Sequence, residues 1–216
     1  MSVSRPVAAV RSLDALAPRV IRNETPHFLL RTLEPDDVTD RACAWFADPS
    51  KASMINLPAR AFSRREFADY IASHDRINGH ILGIFEKPSG QFIGFWAVYI
   101  DWERREYLIN VLVGERGNPN SPREETERAI TSIFFEDFDL LVLRFSVLAR
   151  NVRMEGRMDL AGISSDHTTF NPSASTEAFE EVHHYSLTRE AWHKFRDSRA
   201  LRDLIRALTE AARAGI

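Results

Sequence analysis

The sequence holds one cysteine, Cys43, in 216 residues. That excludes an intrachain disulfide and a zinc site built on several cysteines, and it suits a reducing compartment, with the cytoplasm as the expectation. Long apolar runs are also missing: nowhere do the ~18 consecutive apolar residues of a membrane helix occur. Charge of one sign is not in excess either. Lys plus Arg total 28 against 31 for Asp plus Glu, and a net charge of -3 gives no general attraction to nucleic acid or to an anionic membrane. In residues 1–24, Arg5, Arg11, Asp14, Pro18 and Arg19 interrupt any apolar core of a secretory signal. That stretch reads as an N-terminal extension, partly disordered or docked on the surface.

What is present is the balance of a globular protein, 44% hydrophobic and 27% charged, sufficient for one compact domain. We place that domain at residues 25–193. Residues 194–216 follow as an amphipathic helix, with Leu201, Leu204, Ile205, Leu208 and Ala212 on its apolar side. Docking on the domain or a homodimer contact are its two expected roles.

Within the domain, residues 27–33 (HFLLRTL) form a strand bounded by Pro26 and Glu34-Pro35-Asp36-Asp37. Val38, Ala42, Trp45 and Phe46 recur at helical spacing up to Asp48-Pro49. Ser63 and Glu66 have the form of a capping box for a second helix. Strands are expected over 79–85, 91–100 and 107–113, joined by short polar links that imply antiparallel neighbours. Residues 122–138 carry the stripe Ala129, Ile130, Ile133, Phe134, Phe138 of an amphipathic helix. Strand 140–148, helix 151–161 stopped at Gly162, and strand 180–187 complete the domain, with room for one more strand after Gly162. The fold class is α/β of the α+β type: a mixed, mostly antiparallel sheet with helices on both faces.

Four segments carry a family resemblance: FLLRTLEPDD with WFADP, at 28–37 and 45–49; GQFIGFWAVYID at 90–101; NVRMEGRMDLAGI at 151–163; and YSLTREAW at 185–192. In this order they resemble the GNAT superfamily of N-acetyltransferases, particularly its RimJ/RimL-like branch. The resemblance implies acetyl-CoA as acyl donor. A primary amine, on a small molecule or a protein N-terminus, would be the acceptor, attacking directly in a ternary complex.

It also implies where the chemistry sits. Val111, Leu112 and Val113 would offer backbone groups to the pantetheine arm, and residues 114–123 would form the phosphate loop, with Arg116, Asn118, Ser121 and Arg123 as contacts. Asn151 would contact the CoA arm or cap its helix. Glu106, at the entrance of the fourth family strand, matches the family's general base, with Asp101 as second candidate; solvated turn charges are the alternative for both. Met158 stands where the family often has an acidic tyrosine, and Met154 where it often has serine.

Two glycines of the family's phosphate loop are replaced, by Ser121 and Arg123. Ser121-Pro122-Arg123-Glu124 has the form of a capping box that would occupy the helix donors. Glu124, Glu125 and Glu127 load the same turn with negative charge, which repels phosphate. These departures keep a second reading open, a GNAT-fold binding or regulatory module without turnover. No metal site is expected: His183 and His184, adjacent on a strand, point to opposite faces. Ser164, Ser165, Asp166 and His167 read as loop polarity, and Cys43 as a small buried side chain.

Overall fold

The computed structural model describes residues 16–52, 58–115, 118–174 and 178–196. One sheet organises them, with strand order β1-β2-β3-β4-β5-β6-β8-β7. Its strands are β1 (Arg22–Glu24), β2 (Phe28–Thr32), β3 (Gly79–Glu86), β4 (Phe92–Asp101), β5 (Glu106–Val113), β6 (Val142–Leu148), β7 (His167–Pro172) and β8 (Phe179–Thr188). Every adjacent pair is antiparallel except β5 with β6.

Strand side chains alternate between faces, and each face has its own apolar cluster. Leu30, Leu82, Ile84, Trp96, Val98 and Ile109 pack with Ile130, Phe134 and Phe138 of the segment after β5. On the other face Ile81, Phe85, Phe95, Ala97 and Leu112 pack with Ala42, Trp45, Phe46, Phe67 and Ile71. Helix α1 (Asp40–Ala44), the 3-10 turn after it and α3 (Arg64–Ala72) supply the second set, with α2 (Pro49–Ala52) following that turn in sequence, and α4 (Pro122–Ser132) opens the first. The expected sheet with helices on both faces is what the chain forms.

Local chemistry explains most boundaries. The box at Ser63 and Glu66 forms in both directions and starts α3. Helix α5 (Val152–Ala161) begins where Asn151 accepts a hydrogen bond from the Met154 amide and ends at Gly162, whose φ of 67° is a left-handed stop. The apolar positions Met154 and Met158 fill a small cluster with Val147 and Tyr185.

Three expectations need correction. Asp48-Pro49 does not end helical structure: α1 tightens into a 3-10 turn at Trp45–Ala47, and Pro49 opens α2, since its fixed φ suits a first helical position. Residues 122–138 are not one α-helix, because α4 widens into a π turn at Ile133–Asp137 that has Ile133, Phe134 and Phe135 buried in succession. The sheet also starts inside the stretch read as an extension, as β1 pairs with β2 and the Arg19 guanidinium lies 4.0 Å from the Phe138 ring centre. At the other end, α6 (Arg189–Arg196) continues directly from β8. The helix expected over 194–216 lies, beyond Arg196, outside the described residues.

Candidate acyl-transfer site

The site begins with a mismatch in strand pairing. β5 and β6 run parallel but pair only through Glu106–Leu108 and Val142–Arg144. Beyond that point β5 stays with β4 and β6 stays with β8, so the sheet splits between them. Backbone groups alternate along a strand. The Arg105 carbonyl accepts from the Leu141 amide on the β6 side, and the Gly114 amide donates to the Ile93 carbonyl on the β4 side. By that alternation Ile109, Val111 and Val113 turn their peptide groups into the split. Leu112 turns its own toward Gly94 and buries its side chain under the α1 to α3 face. Of the three residues expected to face the pantetheine arm, the backbone alternation thus brings two to the opening.

The split holds a cleft of about 290 Å³ lined by Ile109, Asn110, Val111, Arg123, Ser146 and Asn151, among others. On the opposite face lies an aromatic pocket of about 360 Å³, walled by Phe46, Phe62, Phe67, Tyr70 and Phe95. The two share Asn110 and Val111. The cleft, of mixed polar and apolar lining, and the aromatic pocket thus flank the same stretch of β5 from the two faces of the sheet.

The loop entering α4 is anchored at its start by Trp45. A Cβ on Gly114 would sit 2.0 Å from the Trp45 ring, and the Trp45 indole N–H donates to Glu115, which also pairs with Arg41. Gly114→Ala is expected to cost about 1–3 kcal/mol through overpacking, read as a lower urea midpoint. Asn118 is turned inward: its amide donates to Glu86 at 2.9 Å and its oxygen accepts from the Asn120 amide. Arg116 lies outside the described residues.

The capping box expected at Ser121 does not form. Ser121 adopts φ 48° and ψ 68°, whereas a capping side chain works from an extended backbone, and it makes no cap hydrogen bond. The serine thus holds the left-handed conformation that a glycine adopts without strain. Ser121→Gly should therefore raise stability by about 0.5–1 kcal/mol, strain relief exceeding the added chain entropy. A lowered urea midpoint would contradict this account.

The acidic first turn is also not what the sequence suggested. Glu124 pairs with Arg157 of α5 at 3.2 Å, Glu127 pairs with Arg157 at 3.4 Å and with Arg123 at 3.7 Å, and Glu125 binds the backbone and ring of His27. Each of the three carboxylates that would repel a phosphate has a cationic or N–H partner.

The two expected bases are placed elsewhere. Glu106 is held by Arg144 through two hydrogen bonds of 2.5 and 2.8 Å, and this pairing lowers its pKa. It lies about 10 Å along β5 from Ile109, where the split opens. Asp101 accepts from the Arg104 amide at 3.0 Å and organises the β4–β5 turn. A carboxylate held by a guanidinium, as Glu106 is, is a weak proton acceptor.

A third group was missed by sequence reasoning. Ser146 of β6 pairs across from His184 of β8, which pairs in turn with His167 of β7. The Ser146 hydroxyl lies 2.9 Å from His184 Nδ1, Thr169 Oγ1 lies 2.8 Å from Nε2, and the His167 ring stacks on His184 at 4.4 Å. Burial first, and then His167, lowers the His184 pKa. His183 points the other way, to Glu155. His167 thus belongs to a strand, not to the polar loop expected there, and only strand register brings these residues together. Among the described residues no group of three His, Cys, Asp or Glu could hold a metal ion, and no helix is long and apolar enough to cross a membrane. Cys43 is buried, and burial raises its pKa.

The fold superposes on solved acetyltransferase structures, among them a GNAT-family acetyltransferase from Bacillus anthracis with a TM-score of 0.63 at 12% identity, over 79% of this chain and 99% of that one. This is the GNAT fold. Ribosomal-protein-S5-alanine acetyltransferase from Vibrio fischeri superposes with a TM-score of 0.64 at 15% identity, over 80% of this chain and 98% of that one. Spermidine N-acetyltransferase from Vibrio cholerae, solved with CoA and spermine, gives 0.66 at 12% identity, over 77% and 98%. RimL, the ribosomal L7/L12 α-N-protein acetyltransferase, gives 0.65 at 12% identity, over 80% and 99%. No protein-family model and no curated protein matches the sequence. At these identities the likeness establishes the GNAT fold, and the activity has to be argued from the split and its lining.

Proposed function

We propose that this GNAT-fold chain transfers an acetyl group from acetyl-CoA to a primary amine at the β5–β6 split, by direct attack in a ternary complex. The observation that carries this reading is that the cleft at the split and the aromatic pocket meet the same two residues of β5, Asn110 and Val111, from opposite faces. Acetyl-CoA supplies an activated acyl carbon when bound. The chain's own residues fit it in three respects. Val111 and Val113 have peptide groups turned to the split, suited to hold an amide-bearing arm and to polarise a carbonyl. The α4 terminus has no side-chain cap from Ser121, so its amides can meet a pyrophosphate. Its acidic residues are already paired. Asn151 lines the cleft while capping α5, so its two expected roles are compatible.

The acceptor side is aromatic, with no carboxylate among its described lining residues. This favours a primary amine carrying an apolar or aromatic group over a polycation, which would need acidic partners. Such an amine could belong to a small molecule or to a protein N-terminus, and a cytoplasmic setting supplies acetyl-CoA. The chain with acetyl-CoA in a titration calorimeter, followed by a free-thiol assay over 2-phenylethylamine, spermidine and a peptide with an apolar first residue, tests the reading. Binding with turnover on the apolar amines is the expected result. Absence of binding at millimolar acetyl-CoA would rule it out, and a preference for spermidine would overturn the acceptor class alone.

A further inference from the structure

We propose that Ser146 and His184 form the proton relay of this site, Ser146 at the cleft wall and His184 behind it. The proposal rests on the acetyltransferase reading above. Amine attack requires an acceptor for a proton carried by the ammonium nitrogen, and the carboxylate at Glu106 is committed to Arg144. Ser146 is exposed and lines the cleft together with Asn110 and Val111, the part of β5 where the proposed transfer takes place.

The geometry behind Ser146 is that of an oriented base. Nδ1 of His184 lies 2.9 Å from Ser146 Oγ, and Nε2 lies 2.8 Å from Thr169 Oγ1. A ring carrying its proton on Nε2 satisfies both bonds at once: Nε2–H donates to Thr169, and Nδ1 accepts from the Ser146 hydroxyl. Thr169 holds the far nitrogen of the ring in place, as a third group orients the base in a nucleophile–base pair. The stacked His167, with its rings at 5° to those of His184, fixes the ring plane.

The charges around the ring are mixed. Asp166 precedes His167 and favours the protonated ring, whereas His167 and His183 disfavour it. Arg144, two residues from Ser146 on β6, is already paired with Glu106. His184 therefore has no direct carboxylate partner among these groups, and it stays neutral and available as a base to lower pH than a free imidazole.

The step balances as follows. The amine nitrogen forms a bond to the acyl carbon as the C–S bond breaks, and the sulfur leaves with the bonding pair. The ammonium nitrogen gives up two protons in all. One passes to Ser146 Oγ as the Ser146 hydroxyl proton moves to His184 Nδ1, and then leaves to solvent. The other ends on the departing thiol. Ser146 would be the catalytic residue and His184 would act through it.

The test uses the full chain with His184→Gln, Ser146→Ala and Thr169→Val. In the ligand-free protein, NMR titration of the histidine rings should show one signal, lost in His184→Gln, with a midpoint below that of an ordinary histidine and displaced in Ser146→Ala. Acetyl-CoA affinity by calorimetry should stay within about twofold in all three variants. In wild type, kcat/KM should fall on the acid side with the His184 midpoint. His184→Gln should lose that limb and about 10²-fold in kcat, while Thr169→Val should lower kcat less and shift the limb. A His184→Gln protein that binds acetyl-CoA and turns over within twofold of wild type, with the same acid limb, would overturn the relay and leave the acetyltransferase reading standing. Wild-type protein that fails to bind acetyl-CoA would remove both.

Discussion

Arg157→Met is expected to weaken acetyl-CoA binding at least tenfold and to destabilise the fold by about 1–3 kcal/mol, less than breaking a fully buried ion pair because these pairs are part-buried. The Arg157 side chain is 11% exposed and bridges Glu124 and Glu127, themselves 23% and 25% exposed. Removing it strips one carboxylate of its partner and leaves the other only the 3.7 Å contact with Arg123. Both would lie in the first turns of α4, where the helix dipole would otherwise favour a phosphate. The two effects separate by salt. Repulsion of phosphate by freed carboxylates is screened at high ionic strength, so calorimetry at 50 and 500 mM salt should show the affinity deficit shrink while the urea midpoint stays low. An affinity loss unchanged by salt would mean that Arg157 shapes the site only through folding. Arg157→Lys should keep the charge, lose the two-pronged geometry and fall between the two.

Acid should destabilise this protein through His80, and His80→Leu should remove much of that sensitivity. His80 is fully buried in β3, neither ring nitrogen has a hydrogen-bond partner, and Phe134 and Phe138 meet it edge-on at 5.7 and 5.2 Å. Burial pushes its pKa down to about 4 from the usual 6.5. The folded state thus holds the ring neutral where the unfolded chain would protonate it. Stability from this group is fully present above pH 6.5 and is lost as pH falls from 6.5 toward 4. The difference amounts to about 2.5 kcal/mol at pH 4.5. His80→Leu should be neutral or stabilising by about 1 kcal/mol at pH 7, since an apolar side chain of similar volume replaces a buried group without partners. Its advantage should then grow by about 2.5 kcal/mol at pH 4.5. Urea melts of both proteins at pH 7.5, 6 and 4.5 would show this, and parallel losses in the two would exclude His80 as the source.

Much of the chain's architecture was legible because it is local. Apolar runs bounded by turns placed the strands, the Ser63 and Glu66 box started α3, and Asn151 and Gly162 bounded α5, each within a few residues of its cause. The boundaries that failed were also local rules, overridden by packing. The helix beginning at Pro122 widens at Ile133 with three consecutive apolar side chains buried, and Ser121 gives up its cap for a left-handed turn.

The candidate site was less legible, since its parts are far apart in sequence. The acidic run at 124–127 reads as a phosphate repellent when seen alone; only docking of α5 brings Arg157 against it. Glu106 looks like a free base until β6 places Arg144 beside it, 38 residues later. Ser146, His184 and Thr169 carry no motif, and two antiparallel registers put them in contact. By itself the sequence determined the elements and, through their order and the four resembling segments, the GNAT fold. Hydrophobic periodicity, caps and turns act over one or two helical turns, so they survive in a linear reading. Which charges are neutralised, which backbone groups face the split and which hydroxyl stands at its wall were decided only by the tertiary structure, because each depends on partners brought within 4 Å by strand pairing and helix docking.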